Sequence, residues 1–143
     1  MGAWSCESFG NDDACDWVAQ LEEQDDFSFI ESALDAVINT GSDYLEAPEA
    51  CAAIAAAEVV ARSQGNVGTQ DEISWKVDAW LQRVKVKPSA TLIGKARQAL
   101  DRIQMEPSEL MELWDESDDS DAWRAALKAL MARVRDSAGV MRT

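Results

Sequence analysis

The sequence predicts an all-α fold, a single-domain bundle of about six to seven helices around a central alanine-rich helix. Apolar residues recur three and four positions apart along the whole chain, and no stretch alternates with the period of two that a half-buried strand shows. The chain has 143 residues, of which 47% are apolar, which is enough to build one hydrophobic core. Proline and glycine residues flank the periodic segments, as they flank helices. These three observations agree on a helical domain.

The first half of the chain predicts three helices. Gly41 follows the second apolar stripe and is predicted to cap that helix at its C-terminal end. A third helix is predicted from Pro48 to Gln64, with Gly65 after it. Because small side chains let neighbouring helices approach closely, we expect this alanine-rich helix at the centre. The first two stripes are Ala14, Trp17, Val18 and Leu21, and Phe27, Ile30, Leu34 and Val37.

The second half predicts four more helices. The fourth stops before Pro88, and Ser89 is predicted to cap the fifth. Pro107 starts a short sixth helix, and after an acidic loop over residues 115–121 Ser120 or Asp121 caps the last one. The stripes are Ile73, Val77, Trp80, Leu81 and Val84; Leu92, Ile93, Ala96, Leu100 and Ile103; Leu110, Leu113 and Trp114; and Trp123, Leu127, Leu130, Met131 and Val134.

Charge divides this chain into two unequal parts. Up to Ala61 it contains 14 acidic residues and no lysine or arginine, whereas the remainder contains 13 acidic and 13 basic residues. We therefore expect one domain with an acidic half, a charge-balanced half and a loop between them, followed by a frayed tail. The expected boundaries are 1–136 for the domain, 1–61 for the acidic half, 62–136 for the balanced half, 65–70 for the loop and 137–143 for the tail.

Composition also argues against several classes of function. A net charge of -14 repels nucleic acid and anionic membranes. The chain contains no histidine, which removes Ser-His-Asp and Cys-His catalysis and the usual Cys/His zinc sites. No apolar run approaches the ~20 residues of a membrane span, the first residues lack a secretory signal, and the three cysteines have no zinc or redox spacing. The composition favours a cytoplasmic, non-enzymatic protein without a cofactor.

Three blocks of the sequence are similar to a known family. They are Met1-Gly2-Ala3-Trp4 with Phe9, Asn11-Asp12-Asp13-Ala14 and Asp16-Trp17; Tyr44-Leu45-Glu46 with Pro48-Glu49 and the run from Ala55 to Ala61; and Ser108-Glu109-Leu110 with Glu112-Leu113-Trp114. Together these blocks resemble the bacterial family of short acidic proteins called domain of unknown function 4259. The chain carries Ser5 and Glu7 where the family pattern has glycines. The resemblance implies a compact bacterial cytosolic domain and brings no activity, substrate or catalytic residue.

The concentration of acidic residues near the start of the chain predicts a surface for a basic partner protein. Acids in the first turn of a helix also serve as caps, and three close carboxylates are a possible ligand set for Mg²⁺ or Ca²⁺, so these roles remain alternatives. An inhibitor-like or immunity-like role fits the binding hypothesis. The predicted contact residues are Asp12, Asp13, Asp16, Glu22, Glu23, Asp25 and Asp26, with Trp4 and Trp17 as anchors.

The main alternative is a hydrolase that depends on a divalent metal ion. Glu46 with Glu49, and Glu109 with Glu112, are carboxylate pairs three residues apart, a spacing that can hold Mg²⁺. Capping of helix N-termini by Glu49 and Glu109 explains the same residues. Glu58 lies in an apolar helical face, so it is either a functional acid with a raised pKa or a structural anchor bonded to a tryptophan N–H or to Arg62.

A basic stretch runs from Arg83 to Arg102. It contains six basic residues and a single acid, Asp101. We expect it to pair with the acidic half, either within one chain or between copies of a self-assembling homo-oligomer. If the pairing is within the chain, the paired acidic residues are not available to bind a basic partner protein. The bases are Arg83, Lys85, Lys87, Lys95, Arg97 and Arg102.

Overall fold

The computed structural model of the chain confirms an all-α bundle. It describes residues 12–64, 72–84 and 88–134, and within these ranges it contains seven helices and no strand. None of the helices in these ranges combines the length and hydropathy that a membrane crossing requires. The helices are α1 (Asp12–Leu21), α2 (Ser28–Ile38), α3 (Ala47–Ser63), α4 (Glu72–Val84), α5 (Ala90–Ile103), α6 (Glu109–Asp115) and α7 (Ser120–Arg133). The predicted loop 65–70 and tail 137–143 lie outside the described residues.

Helix α3 is the centre of the bundle, as its composition predicts. It contacts each of the other six helices, and α2 and α5 also pack directly against one another. Most of its side chains are buried, whichever way they face. Alanine makes this possible because a helix without bulky side chains can be surrounded at short interaxial distance. The fully buried alanines of α3 are Ala50, Ala53, Ala55, Ala56, Ala57 and Ala61.

Stacked aromatic rings join α1, α2 and α4 to one another. Trp17 of α1 stacks on Phe29 of α2 with ring centroids 5.3 Å apart, and Phe27 stacks on Trp80 of α4 at 5.7 Å. The Trp80 Nε1 also donates a hydrogen bond of 2.9 Å to the carbonyl oxygen of Gln24. These tryptophans therefore fill the core, whereas Trp75 on the same α4 helix is 60% exposed.

The helix ends follow the sequence in part. Ser89 caps α5 as predicted, since its hydroxyl oxygen accepts a bond of 3.1 Å from the Leu92 backbone N–H. Helix α6 is capped by Ser108 and begins after it, so Pro107 precedes that helix and does not start it. Helix α2 ends at Ile38, and Gly41 supplies a left-handed residue (φ +58°) in the turn that follows, so its predicted role as the cap is wrong by position.

Candidate acidic interface

The outer side of α1 and the turn after it form an acidic surface. Asp16, Glu22 and Glu23 are exposed and Asp13 is half-buried. We call these four residues the α1 acidic face; the side chain of Asp12 lies outside the described residues. No ion pair within the described part of the chain includes any of the four. The carboxylates of the α1 acidic face therefore have no ion-pair partner in the rest of the described chain.

The charge at the end of α1 opposes the helix dipole. The C-terminal end of a helix carries partial negative charge, so acids there are unfavourable and bases favourable. Helix α1 has no basic residue in its last turn, and Glu22 and Glu23 follow it directly. Arg83 of α4 supplies the missing cation, donating to the carbonyl oxygens of Glu22 (3.0 Å) and Gln24 (2.8 Å). The Glu22 and Glu23 carboxylates themselves receive no cation from the described chain.

The next two acids of the predicted interface have local partners. Asp25 Oδ1 accepts a bond of 2.9 Å from Arg83, in an ion pair whose carboxylate is 88% exposed. Asp26 Oδ1 accepts from the hydroxyl (2.7 Å) and the backbone N–H (3.0 Å) of Ser28, at the start of α2. These two hydrogen bonds, the one from the Ser28 hydroxyl being the stronger influence, lower the pKa of Asp26. Asp25 and Asp26 therefore also fix the turn between α1 and α2.

One of the two tryptophans predicted as anchors, Trp17, does not lie on the α1 acidic face. Trp17 is only 6% exposed and belongs to the core. Its indole Nε1 is buried and has no hydrogen-bond partner among the residues that the structure describes, and a buried donor without a partner costs stability. Trp4 lies outside the described residues. The expectation for Trp17 as a surface anchor is corrected by its burial, which its place in the Ala14–Leu21 apolar stripe already indicated.

The basic stretch pairs with the acidic half within one chain. Lys95 of α5 bonds the carboxylates of Glu31 (2.7 Å) and Asp35 (2.9 Å) on α2. The hydrogen bond to Glu31, and then that to Asp35, raises the pKa of Lys95. With the Arg83–Asp25 pair, these contacts confirm the predicted pairing, while Lys85 and Lys87 lie outside the described residues. The pairing engages α2 and the turn before it, and it leaves the α1 acidic face untouched.

The remaining arginines of the stretch bind backbone carbonyls. Arg97 Nη1 donates to the carbonyl oxygens of Met131 (3.0 Å) and Val134 (2.6 Å), at the C-terminal end of α7. Arg102 donates to four carbonyl oxygens at 2.7–2.9 Å, two in the turn after α2 and two in the turn after α5. Their acceptors are Gly41, Asp43, Met105 and Pro107. These cations are used to hold turns together.

Glu58 is a buried structural anchor. It is 2% exposed, and its Oε2 accepts bonds from Arg62 (3.1 Å) and Arg133 (2.8 Å), while its Oε1 accepts a second bond of 2.8 Å from Arg133. Arg62 in turn donates to both carboxylate oxygens of Asp78 on α4, at 2.9 and 3.2 Å. We call Glu58, Arg62, Asp78 and Arg133 the buried ion cluster. It connects α3, α4 and α7, and of the two partners predicted for Glu58 as an anchor, a tryptophan N–H or Arg62, it shows Arg62.

The remaining glutamates of the alternative site lie where the turn before α3 meets the turn before α6. Leu45 N–H donates to Pro107 O at 3.1 Å, and Glu109 N–H donates to Leu45 O at 2.8 Å. Glu109 Oε1 accepts from Ala47 N–H at 2.8 Å, so it caps α3 and not its own helix, and Tyr44 Oη donates to Glu112 at 3.1 Å. We call residues 41–49 and 102–114 the α3–α6 junction.

This placement separates Glu58 from the other four glutamates of the metal hypothesis, which belong to the α3–α6 junction. Glu58 is bound by Arg62 and Arg133, whereas Glu109 and Glu112 accept hydrogen bonds at the α3–α6 junction. Glu46 and Glu49 are exposed there. Among the residues that the structure describes, no three acidic, cysteine or histidine side chains converge as metal ligands do. The geometry thus assigns Glu58 and Glu109 to holding helices together.

The thiol of Cys51, in the first turns of α3, has low reactivity. Cys51 is buried, and burial, followed by the charges of Asp13 and Glu109, raises the pKa of its thiol to about 12. A thiol that stays protonated at neutral pH is a poor nucleophile.

Comparison with known proteins gives one result. A family model described as Domain of unknown function (DUF4259) matches residues 2–126, which is most of the chain. No curated protein and no solved structure matches.

Proposed function

The chain belongs to this family, DUF4259, and we propose that it is a non-catalytic protein-binding module whose α1 acidic face holds a basic partner protein. The observation that carries the proposal is the position of Glu22 and Glu23. They add negative charge at the C-terminal end of α1, where the helix dipole makes it unfavourable, and the described chain supplies no cation to their carboxylates. Local rules are broken in this way mainly where function requires it.

The distribution of basic residues supports the same proposal. Arg83, Lys95 and Arg102 are close enough to neutralise surface acids, and each is engaged in defined internal contacts. These contacts hold the cations in fixed positions away from the carboxylates of the α1 acidic face, so the surplus of exposed acids there gives a negative local field. Such a field accelerates the encounter with a positively charged protein and disfavours acidic ones. An inhibitor-like or immunity-like role, which requires fast capture of a basic target, fits this arrangement.

Affinity capture from a lysate of the source organism tests the proposal. The bait is wild type beside a variant with Asp16→Asn, Glu22→Gln and Glu23→Gln. A control variant with Glu116→Gln, Asp118→Asn and Asp119→Asn makes the same charge change in the acidic loop before α7, whose carboxylates are exposed. We expect wild type and the control variant to retain a basic protein that the α1 variant loses.

Salt dependence gives a second outcome of the same experiment. Between about 50 and about 500 mM salt the Debye length falls roughly threefold, which weakens attraction between exposed charges. We expect the captured protein to be released over this range. Capture that is equal for all three baits, or that is unchanged by salt, would contradict the proposal.

A further inference from the structure

Large apolar side chains are exposed mainly at the α3–α6 junction. In the described part of the chain, the large hydrophobic residues exposed to solvent are Tyr44 (49%), Met105 (58%) and Leu113 (42%), together with Trp75 (60%) on α4. Single exposed apolar residues are ordinary on protein surfaces. Three of the four, however, belong to the two segments that meet at the α3–α6 junction, and a local concentration of this kind is typical of an interaction site.

The backbone that presents these side chains is held firmly. One guanidinium, that of Arg102, binds the carbonyl oxygens of Asp43 (2.8 Å) and Met105 (2.8 Å), so the two turns are fixed side by side. Tyr44 Oη is bonded to Glu112, the neighbour of Leu113 on α6. A surface that is ordered before binding loses less conformational entropy when a partner binds.

The charge around the exposed apolar residues is negative. The acids Asp43, Glu46, Glu49, Glu106 and Glu112 are all exposed at the junction. Its one basic residue is Arg102, whose donors are engaged by carbonyl oxygens, and the segments 41–61 and 103–123 contain no lysine or arginine. Desolvation, and then the hydrogen bond to Glu112 and the negative charges of Glu112, Glu109 and Glu46, raise the pKa of Tyr44. The junction thus presents exposed apolar groups among exposed acids, and we call these acids its acidic rim.

We propose that the α3–α6 junction binds a protein segment in which an apolar side chain is flanked by lysine or arginine. This rests on the proposed function, and it identifies where the apolar anchor of the basic partner binds, a role that the buried Trp17 does not fill. Apolar contacts at the centre and charge pairs at the rim are the usual anatomy of such a site. A second copy of this chain is disfavoured, since it would bring two acidic rims together.

The test is selection of a random peptide library displayed on phage. Selections run in parallel on wild type, on the double variant M105S/L113S, and on W75S. The W75S variant removes the exposed apolar residue that lies away from the junction, and none of these substitutions changes the charge. We expect wild type and W75S to enrich peptides with lysine or arginine around an apolar residue, and the double variant not to enrich them.

Affinities of an enriched peptide sharpen the result. We expect M105S/L113S to weaken binding about tenfold or more and W75S to change it less than about twofold. Circular dichroism tests whether the double variant folds. If it does not, the single variants M105S and L113S replace it, and each is expected to weaken binding in part. Equal enrichment on the double variant, or enrichment of peptides without basic residues, overturns the junction site. Lysate capture that is unaffected by the α1 variant overturns the proposed function instead, and leaves the peptide result standing.

Discussion

Acidic residues in two regions of the molecule differ in whether the described chain provides cationic partners for their carboxylates. Glu58 is buried, and two arginines from different parts of the chain satisfy its carboxylate. Glu22 and Glu23 are exposed at the wrong end of a helix for their charge, and the nearest cation, Arg83, binds backbone carbonyls and Asp25 beside them. The described chain therefore pairs its buried glutamate with two arginines, whereas it pairs no base with the carboxylates of the α1 acidic face.

The difference has a physical basis. An unpaired charge in the interior costs several kcal/mol, so a buried carboxylate needs a partner for the chain to fold. An exposed carboxylate is solvated by water, and leaving it unpaired costs only a fraction of that. Surface charge is therefore the part of the electrostatics that can be kept for another molecule.

The largest effect is expected from breaking the buried ion cluster. Glu58→Ala leaves Arg62 and Arg133 without their buried partner, and the free energy of unfolding should fall by about 3–5 kcal/mol. Urea denaturation followed by circular dichroism measures it. The control is Glu46→Ala, an exposed acid, for which we expect a change within about 0.5 kcal/mol. A loss below about 1 kcal/mol for Glu58→Ala would show that the cluster is not an anchor.

The second largest effect is expected from removing Arg102, which bridges the two turns of the α3–α6 junction and which we call the junction clamp. Arg102→Met deletes the donors to four carbonyl oxygens, and we expect a loss of about 2–4 kcal/mol of stability in urea. Arg102→Lys should recover little, because an ammonium lacks the planar fork of a guanidinium. Hydrogen exchange at Leu45 N–H and Glu109 N–H should speed up in both variants.

The matched substitution for this clamp is Lys128→Met. It removes an exposed base of α7, and we expect both its stability and its exchange rates to match those of wild type. An Arg102→Lys variant as stable as wild type would contradict the clamp, since it would mean that charge alone, and not the geometry of the donors, holds the two turns.

The sequence predicts the helices well, because apolar residues recur in each at helical spacing. It also predicts the central position of α3, because a run of alanines favours close packing of neighbouring helices. It predicts Ser89 as a cap, and Arg62 as one of two alternative partners of Glu58, since both are local patterns. Arg133 was not predicted as a partner of Glu58, because 75 positions separate them and only the packing of α7 on α3 brings them together.

The candidate site was predicted less well, for the same reason. Exposure of Asp16 follows from its position opposite the α1 apolar stripe, but the engagement of Arg102 with four carbonyls has no sequence signal. Likewise, Tyr44 and Met105 are ordinary residues in the sequence, and only the meeting of two distant turns brings them to one surface. Trp17, in contrast, carried a clear signal of burial in its spacing.

Cys51 predicts a pH dependence of intermediate size. Its thiol has a pKa of about 12 in the folded chain against an ordinary value of 9.0, so folding favours the protonated form. The stabilisation is complete below pH 9 and is lost as the pH rises towards 12, at up to about 1.4 kcal/mol per pH unit. Denaturation of wild type and Cys51→Ala from pH 8 to pH 10.5 should give curves that converge. Parallel curves would contradict the raised pKa.

The smallest effect on stability is expected at the α1 acidic face, and its sign is informative. Glu22→Gln with Glu23→Gln removes charge that opposes the α1 dipole, so the free energy of unfolding should rise, by up to about 1 kcal/mol at low salt. The control pair is Glu116→Gln with Asp118→Asn, which changes the net charge equally in the loop before α7.

The most direct test makes two measurements on the variant with Glu22→Gln and Glu23→Gln. One is its stability in urea, and the other is its affinity for the basic protein captured by wild type. We expect opposite signs: the variant is more stable than wild type and binds the partner at least tenfold more weakly, whereas the control pair binds as wild type does. A variant that gains stability and keeps its affinity would mean that Glu22 and Glu23 are solvated surface with no role in binding.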